Sequence, residues 1–246
     1  MTSRIAVIGS GFRPQGDTRP PPEIADIVGA GFDAELVEIP DGIFPGDHEA
    51  RAIVDIQYHD AGRRSQAAGF DAIYINTVGD YGLEELRDEL NIPVIGSGET
   101  AYRTASAFGR FAVVTIWPPS LDFIRTRVLA QSGTADNYLG ATNLTADEVM
   151  DTLPDEENFV TDMRACSLTS MRRIREARDD AVETDGASAV ILGCTCMAPA
   201  AALLPPNPGA VTLDPMTLGY RFTEYCLTHR LSPQDVDYTQ VGQWLS

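Results

Sequence analysis

The sequence contains no lysine: all 18 of its basic residues are arginine, against 36 acidic residues. A Schiff-base lysine, a lysine-anchored pyridoxal phosphate and a P-loop lysine are therefore excluded. The formal net charge of -18 argues against nucleic acid and anionic membrane surfaces as partners. No apolar run approaches the roughly 18 residues of a membrane span, and the first residues lack a signal-peptide pattern. We therefore expect a cytoplasmic protein with neither a membrane nor a nucleic-acid partner.

Cysteine and histidine are also scarce, with 4 and 3 residues. Few cysteines without a secretion signal indicate reduced thiols rather than a disulfide framework. Cys194 and Cys196 form a C-x-C pair, but no second Cys/His pair with zinc-like spacing accompanies it. We therefore expect no metal site. Cys196 is interpreted as a residue at the start of a helix, with a redox pair as the alternative.

Eight short apolar runs rich in β-branched residues alternate with segments of helical pattern. Runs that are apolar almost throughout are typical of strands buried on both faces, as in parallel sheets. The expected strands are residues 4–9, 34–39, 71–77, 92–98, 110–116, 137–144, 188–194 and 209–214. The expected helices are residues 48–68, 82–90, 99–108, 119–132, 156–184, 197–204 and 216–229. The alternation predicts an α/β fold.

The order of the elements occurs twice along the chain. The spacing from Thr77 to Pro93 equals that from Cys194 to Ala210, and both pairs span a strand end and the start of the next strand. We expect two pseudo-symmetric α/β domains with mostly parallel sheets, residues 1–108 and 109–246, with the C-terminal helix or tail returning to the first. Because ligands of open α/β sheets bind at the carboxyl ends of strands, the repeat predicts that Thr77 and Cys194 face each other across an active-site cleft between the domains.

Polar side chains follow the strands at these two positions. Cys194 precedes a predicted helix, where backbone N–H groups and the helix dipole favour a thiolate, so it is the candidate acid/base. A buried structural cysteine is the alternative. Asn76, Thr77 and Val78 offer side-chain donors and turn amides for a carboxylate, and Thr195 offers the same in the second half. These residues predict a site for a small anionic or carbonyl substrate.

Five segments resemble the aspartate/glutamate racemase superfamily, and most closely its hydantoin racemase branch. They are INTVGDYGL (75–83), IPVIGSGETA (92–101), GRFAVVTIWPPS (109–120), ASAVILGCTCM (187–197) and VTLDPMTLG (211–219). The resemblance implies a cofactor-independent racemase, epimerase or isomerase that transfers a proton at a carbon next to a carboxylate or carbonyl of a hydantoin- or amino-acid-like substrate. It also implies a homo-oligomer, and substrate contacts from Ser10 and Thr115.

The resemblance assigns one of two catalytic cysteines to Cys194, whereas Thr77 stands where the family carries the other. A threonine hydroxyl is not a base without an activating partner, but it can donate a hydrogen bond to a developing enediolate. Asp80, Glu99 and His59 are candidates for a replacement base. Three functions stay open: an isomerase, a single-cysteine lyase similar to arylmalonate decarboxylase, and a non-catalytic protein that binds a small molecule.

Overall fold

The structure is a computed structural model that describes residues 2–9, 18–155 and 158–245. Within these ranges, strands form two four-stranded sheets in which all neighbours run parallel. The first sheet contains β1 (Ser3–Ile8), β2 (Phe32–Val37), β3 (Ala72–Ile75) and β4 (Val94–Gly96), in the order β2-β1-β3-β4. The second contains β5 (Phe111–Thr115), β6 (Tyr138–Asn143), β7 (Ala189–Leu192) and β8 (Val211–Leu213), in the order β6-β5-β7-β8. The predicted α/β fold with two parallel sheets is confirmed.

The central strands are buried because their side chains are apolar on both faces. Every residue of β3 (AIYI), β5 (FAVVT) and β7 (AVIL) is buried, whereas the edge strand β6 is mostly half-buried. This difference between centre and edge is typical of a parallel sheet covered by helices. The apolar runs therefore identify the strands, and the carboxyl end of each central strand marks where polar residues can gather.

Ten helices occur in the described ranges, and some of them begin or end at residues with recognisable capping chemistry. They are α1 (Pro22–Ala25), α2 (His48–Ala67), α3 (Leu83–Glu89), α4 (Ser97–Phe108), α5 (Asp122–Ser132), α6 (Phe159–Arg164), α7 (Leu168–Glu183), α8 (Ala198–Leu203), α9 (Pro215–His229) and α10 (Gly242–Leu245). Helix α2 starts after Asp47, whose carboxylate accepts a hydrogen bond from the Ala50 N–H at 2.8 Å. Helix α5 ends at Gly133, which adopts the left-handed conformation with φ 68°.

The single helix predicted over residues 156–184 is wrong. Its first two residues lie outside the described ranges, and the remainder forms α6 and α7 with a break between them. At the break, Cys166 adopts φ 52°, which a helix does not accommodate. Ser167 then caps α7 by accepting a hydrogen bond from the Ser170 N–H at 3.2 Å. The helical pattern in the sequence continues through this point because serine and cysteine do not interrupt its apolar period.

The chain divides into two compact units. Unit 1 comprises Met1–Thr100 and Met216–Ser246, and unit 2 comprises Ala101–Pro215. The predicted boundary at residue 108 lies at the end of α4, whereas the observed division falls near the start of that helix. In unit 1, α9 packs on the first sheet, where the Tyr74 hydroxyl donates to the Met216 carbonyl at 2.9 Å. A Cβ at Gly219 would lie 2.7 Å from the Tyr74 ring, so glycine permits this close packing.

Unit 2 has its own apolar core between the second sheet and α7. Val114, Val190 and Leu192 of the sheet pack with Ile174 of α7, and all four are fully buried. Among the described residues, no helix is both long and apolar enough to cross a membrane.

Candidate active site

Unit 1 presents the residues that follow β1 and β3. These strands pair with Ile8 opposite Ile75, so Gly9 and Asn76 leave the sheet side by side. The Asn76 N–H donates to the Ile8 carbonyl at 2.8 Å, which extends the pairing by one residue. The Asn76 side chain is 1% exposed, and its oxygen accepts a hydrogen bond from the Tyr74 hydroxyl at 3.3 Å. Asn76 therefore holds the strand end in place and directs its carboxamide oxygen into the unit.

Thr77 and Val78 come next and are partly exposed. The Thr77 hydroxyl oxygen is buried, and within the described chain it completes no hydrogen bond of regular geometry. The polar group beside it is the Tyr58 hydroxyl of α2. Burial raises the pKa of Tyr58, the nearby Tyr81 raises it further, and a hydrogen bond with the Thr77 hydroxyl lowers it. Tyr58 therefore stays protonated, and it can donate a hydrogen bond but cannot act as a base.

Gly9 allows Tyr58 to reach this position. A Cβ at Gly9 would lie 2.2 Å from the Tyr58 hydroxyl oxygen and 3.1 Å from the Thr77 methyl group. Gly9 also adopts φ 82°, which disfavours other residues. Sequence reasoning missed Tyr58. The sequence feature that could have identified Tyr58 is its helical spacing from Val54 and Ala61, which places a hydroxyl group on the buried apolar face of α2.

Asp80 and Glu99, two candidates for a replacement base, both have polar partners within unit 1. Asp80 lies in the turn after β3 with φ 46°, and its carboxylate accepts hydrogen bonds from the N–H groups of Gly98 at 2.8 Å and Glu99 at 2.5 Å. Burial raises the pKa of Asp80 to about 7, although these hydrogen bonds lower it. Glu99 pairs with Arg87 at 2.6 Å. The two carboxyl groups thus connect the turn, α3 and the first turn of α4.

Arg51 supports the same turn from α2, and sequence reasoning missed it as well. It is 3% exposed, and its guanidinium donates to the Gly79 carbonyl at 2.9 Å. The guanidinium carbon lies 4.9 Å from the centre of the Tyr81 ring, a cation–π distance. His59, the third candidate base, lies 2.8 Å from Glu89 at the end of α3. The 77–82 turn is therefore bound on several sides by buried polar groups.

Unit 2 presents the residues that follow β5 and β7. The Thr115 hydroxyl, at the end of β5, donates to the Gly193 carbonyl at 3.3 Å and accepts from the Trp117 N–H at 3.2 Å. The Gly193 N–H donates to the Val114 carbonyl at 2.8 Å. Thr115 is buried, so its hydroxyl holds the two strand ends together. Thr195 lies two residues after Gly193, at the start of a 3-10 turn over Thr195–Met197, and is half-buried.

Cys194 forms a disulfide bond with Cys196. The prediction that all four cysteines are reduced thiols is therefore wrong for this pair, because the C-x-C segment folds back on itself in the 3-10 turn. Cys166 and Cys226 form no disulfide bond. In the disulfide, Cys194 has no proton to give and no lone thiolate to take one. Its sulfur still accepts a hydrogen bond from the Cys196 N–H at 3.2 Å.

Ser10, a predicted substrate contact, lies outside the described residues. Over the described ranges, no group of three or more His, Cys, Asp or Glu side chains is arranged to hold a metal ion. The site residues that the structure does describe thus occur as two strand-end clusters, one in each unit.

The sequence matches a family model over most of its length. The model is described as Asp/Glu/Hydantoin racemase, and it matches residues 34–223. The chain belongs to the Asp/Glu/Hydantoin racemase family. The predicted resemblance is thereby confirmed, and the matched region includes Asn76, Thr77, Thr115, Cys194 and Thr195.

Curated relatives support membership of this racemase family. The chain is 29% identical to a hydantoin racemase of Pseudomonas sp. (strain NS671) over 163 residues, 66% of this chain and 60% of that protein. It is 28% identical to a hydantoin racemase of Paenarthrobacter aurescens over 155 residues, 63% of this chain and 60% of that protein. The alignments thus span about 60% of the length of the curated relatives.

Solved structures of racemases share the fold. An allantoin racemase from Klebsiella pneumoniae has a TM-score of 0.73 at 22% identity, over 97% of this chain and 93% of that one. An aspartate racemase homologue from Pyrococcus horikoshii OT3 has a TM-score of 0.61 at 15% identity, over 92% of this chain and all (100%) of that one. The two-sheet architecture is therefore that of the racemase family.

Proposed function

We propose that this protein is an isomerase that transfers a proton at a carbon next to a carbonyl or carboxylate of a small substrate, with reduced Cys194 as the acid/base. The observation that carries the proposal is the position of Cys194. It lies directly beyond the central strand β7, inside the region that matches the racemase family, at the residue to which the resemblance assigns a catalytic thiol. The curated relatives named hydantoin racemases favour a hydantoin with one hydrogen on its substituted ring carbon.

The chemistry follows from the substrate's acidity and the thiol. A Cys194 thiolate removes the proton from the carbon next to the carbonyl, and the electron pair of the C–H bond is delocalised onto the carbonyl oxygen. A hydrogen-bond donor near that oxygen stabilises the enolate. We assign this role to Thr77, whose hydroxyl reaches a substrate oxygen if rotation about χ1 turns it away from Tyr58. Water then delivers a proton to the opposite face of the enolate and inverts the configuration, while the Cys194 thiol returns its proton to solvent.

A second candidate is a decarboxylase that uses a single cysteine. The observation that favours it is the environment of Thr77, which stands where the resemblance places the first catalytic cysteine. Neither Thr77 nor its buried neighbour Tyr58 is a base near neutral pH, because burial raises the pKa of Tyr58. A single sulfur suffices for a lyase, which loses carbon dioxide and then protonates the enediolate from one face.

One experiment separates these functions. Reduced protein is incubated in deuterium oxide with one enantiomer of a 5-monosubstituted hydantoin, and in parallel with an arylmalonate. Proton NMR follows the ring hydrogen, chiral chromatography follows configuration, and carbon dioxide release is measured. Deuterium uptake with inversion supports the isomerase. Release of carbon dioxide with one deuteron of fixed handedness supports the lyase and refutes the isomerase. Binding of either compound without turnover supports a non-catalytic binding protein and refutes both enzymatic functions.

Three further expectations belong to this proposal. The thiol chemistry needs no cofactor, because the Cys194 sulfur removes the proton and water supplies the one that replaces it. It requires a reducing compartment, which makes the cytoplasm the expected location. We also propose a homo-oligomer, which sedimentation analysis of the purified protein tests.

A further inference from the structure

We propose that Cys194 and Cys196 form a reversible dithiol–disulfide modification site. A small-molecule disulfide that takes two electrons from the pair removes the proton-transfer thiol, and a small dithiol that returns them restores it. The consequence for activity rests on the proposed function of Cys194. The pairing itself rests on the local geometry of unit 2 and is measured separately.

The backbone brings the two cysteines together without help from other elements. Cys194 is extended, with φ -149° and ψ 135°, and the chain then turns back in the 3-10 turn. The Met197 N–H closes this turn by donating to the Cys194 carbonyl at 3.0 Å. The Cα atoms of Cys194 and Cys196 lie 5.1 Å apart, within the range that disulfides span.

The turn is also anchored to the second sheet. Gly193 bonds to Val114 through its N–H and accepts from the Thr115 hydroxyl through its carbonyl. A Cβ at Gly193 would lie 2.7 Å from Val113 Cγ1, so glycine lets the segment lie against β5. Because these contacts do not involve the sulfur atoms, the reduced thiols stay adjacent. The loop between them is a single residue, so little chain entropy opposes closing the bond again.

The exposure of the two cysteines indicates how a reductant acts. Cys194 is 8% exposed, whereas Cys196 is more accessible. A thiolate of a small dithiol attacks the Cys196 sulfur and forms a mixed disulfide, while the bond between the cysteines breaks and its electron pair leaves on Cys194. The Cys196 N–H, 3.2 Å from the Cys194 sulfur, stabilises that leaving thiolate. The reductant's second thiol then attacks the mixed disulfide and releases Cys196.

The exchange balances in atoms and electrons. Two electrons pass from the dithiol to the protein disulfide, the dithiol becomes a cyclic disulfide, and its two protons end on the two protein sulfurs. The result is a Cys194 thiol with the lone pair and the proton that acid/base chemistry requires. A metal half-site is a poorer explanation of the pair, since across the described ranges no third ligand completes one.

The test counts thiols and measures proton exchange on the full-length chain. Protein purified without reductant is alkylated after denaturation, before and after treatment with dithiothreitol, and the labelled cysteines are located by mass spectrometry. We expect label only on Cys166 and Cys226, which form no disulfide, before reduction, and on all 4 cysteines after it. In parallel, deuterium exchange into the hydantoin should rise about 100-fold or more on reduction, as expected when a positioned acid/base is restored.

Two variants provide the controls. Cys196→Ser should exchange deuterium at the rate of the reduced wild type, with or without dithiothreitol, because Cys194 has no partner. Cys166→Ser should keep the wild-type dependence on dithiothreitol. Alkylation of Cys194 and Cys196 in unreduced protein overturns the modification site whatever the activity. If Cys194 and Cys196 are alkylated only after reduction, but neither the oxidised nor the reduced protein exchanges deuterium into the hydantoin, the modification site is supported and the proposed function is refuted.

Discussion

Replacing Asp80 by asparagine is expected to change how the stability of unit 1 depends on pH. Burial raises the pKa of this carboxyl from 3.8 to about 7 in the folded protein. Between these values the folded state holds more protons than the unfolded state, so the free energy of unfolding falls as pH rises. A pKa difference of this size corresponds to about 4 kcal/mol, present in full below pH 4 and lost by about pH 7.

The assay compares urea unfolding of the wild type and Asp80→Asn from about pH 4 to pH 8, so that other titrating groups cancel in the difference. At low pH the variant should be less stable, because its amide nitrogen cannot accept from the N–H groups of Gly98 or Glu99, whereas both oxygens of the protonated Asp80 carboxyl can. As pH rises toward 8, the difference in unfolding free energy between the wild type and the variant should fall by about 4 kcal/mol. Asp88→Asn, at an exposed position of α3, is the matched control for exchanging a carboxyl group for an amide.

The opposite slope would refute this reasoning. If the advantage of the wild type grew with pH, the two backbone hydrogen bonds would outweigh burial, and the pKa of Asp80 would lie below its ordinary value.

Two further predictions concern the packing of Gly9, Tyr58 and Thr77. Gly9→Ala should cost about 2 kcal/mol or more of unfolding free energy, since its Cβ would strike the Tyr58 hydroxyl. Gly31→Ala, with φ 92° and open space around its Cβ, should cost only the backbone strain of about 1 kcal/mol; equal costs in urea unfolding would contradict the contact. Tyr58→Phe and Thr77→Val should be coupled by at least ~0.5 kcal/mol in a double-mutant unfolding cycle, because their hydroxyls are adjacent. Strict additivity would show that the two groups do not interact.

The fold was predictable because buried parallel strands leave a direct mark in the sequence. Apolar runs such as AIYI and AVIL have few alternatives to a central strand, and the repeated order of elements along the chain predicted two α/β domains. The structure adds that the two sheets have the same strand order. The break at Cys166 was not predictable in this way. A positive φ at a residue other than glycine depends on tertiary packing, and the apolar period on either side continues without interruption.

The candidate site was only partly predictable. Strand ends identify Thr77 and Cys194, because polar residues after a buried strand stand out. Tyr58 contacts Thr77 from a helix that lies about 20 residues earlier in the chain, and no local pattern links the two. The Cys194–Cys196 bond depends on the 3-10 turn between them, whereas the sequence favoured a regular helix start.

The central claim is that the Cys194 sulfur transfers the proton. The direct measurement is deuterium exchange into a 5-monosubstituted hydantoin by dithiothreitol-reduced Cys194→Ser, compared with reduced wild type and with Cys166→Ser. We predict that the exchange rate of Cys194→Ser falls by about 100-fold or more, while Cys166→Ser matches the wild type. Wild-type exchange by folded Cys194→Ser would contradict the account.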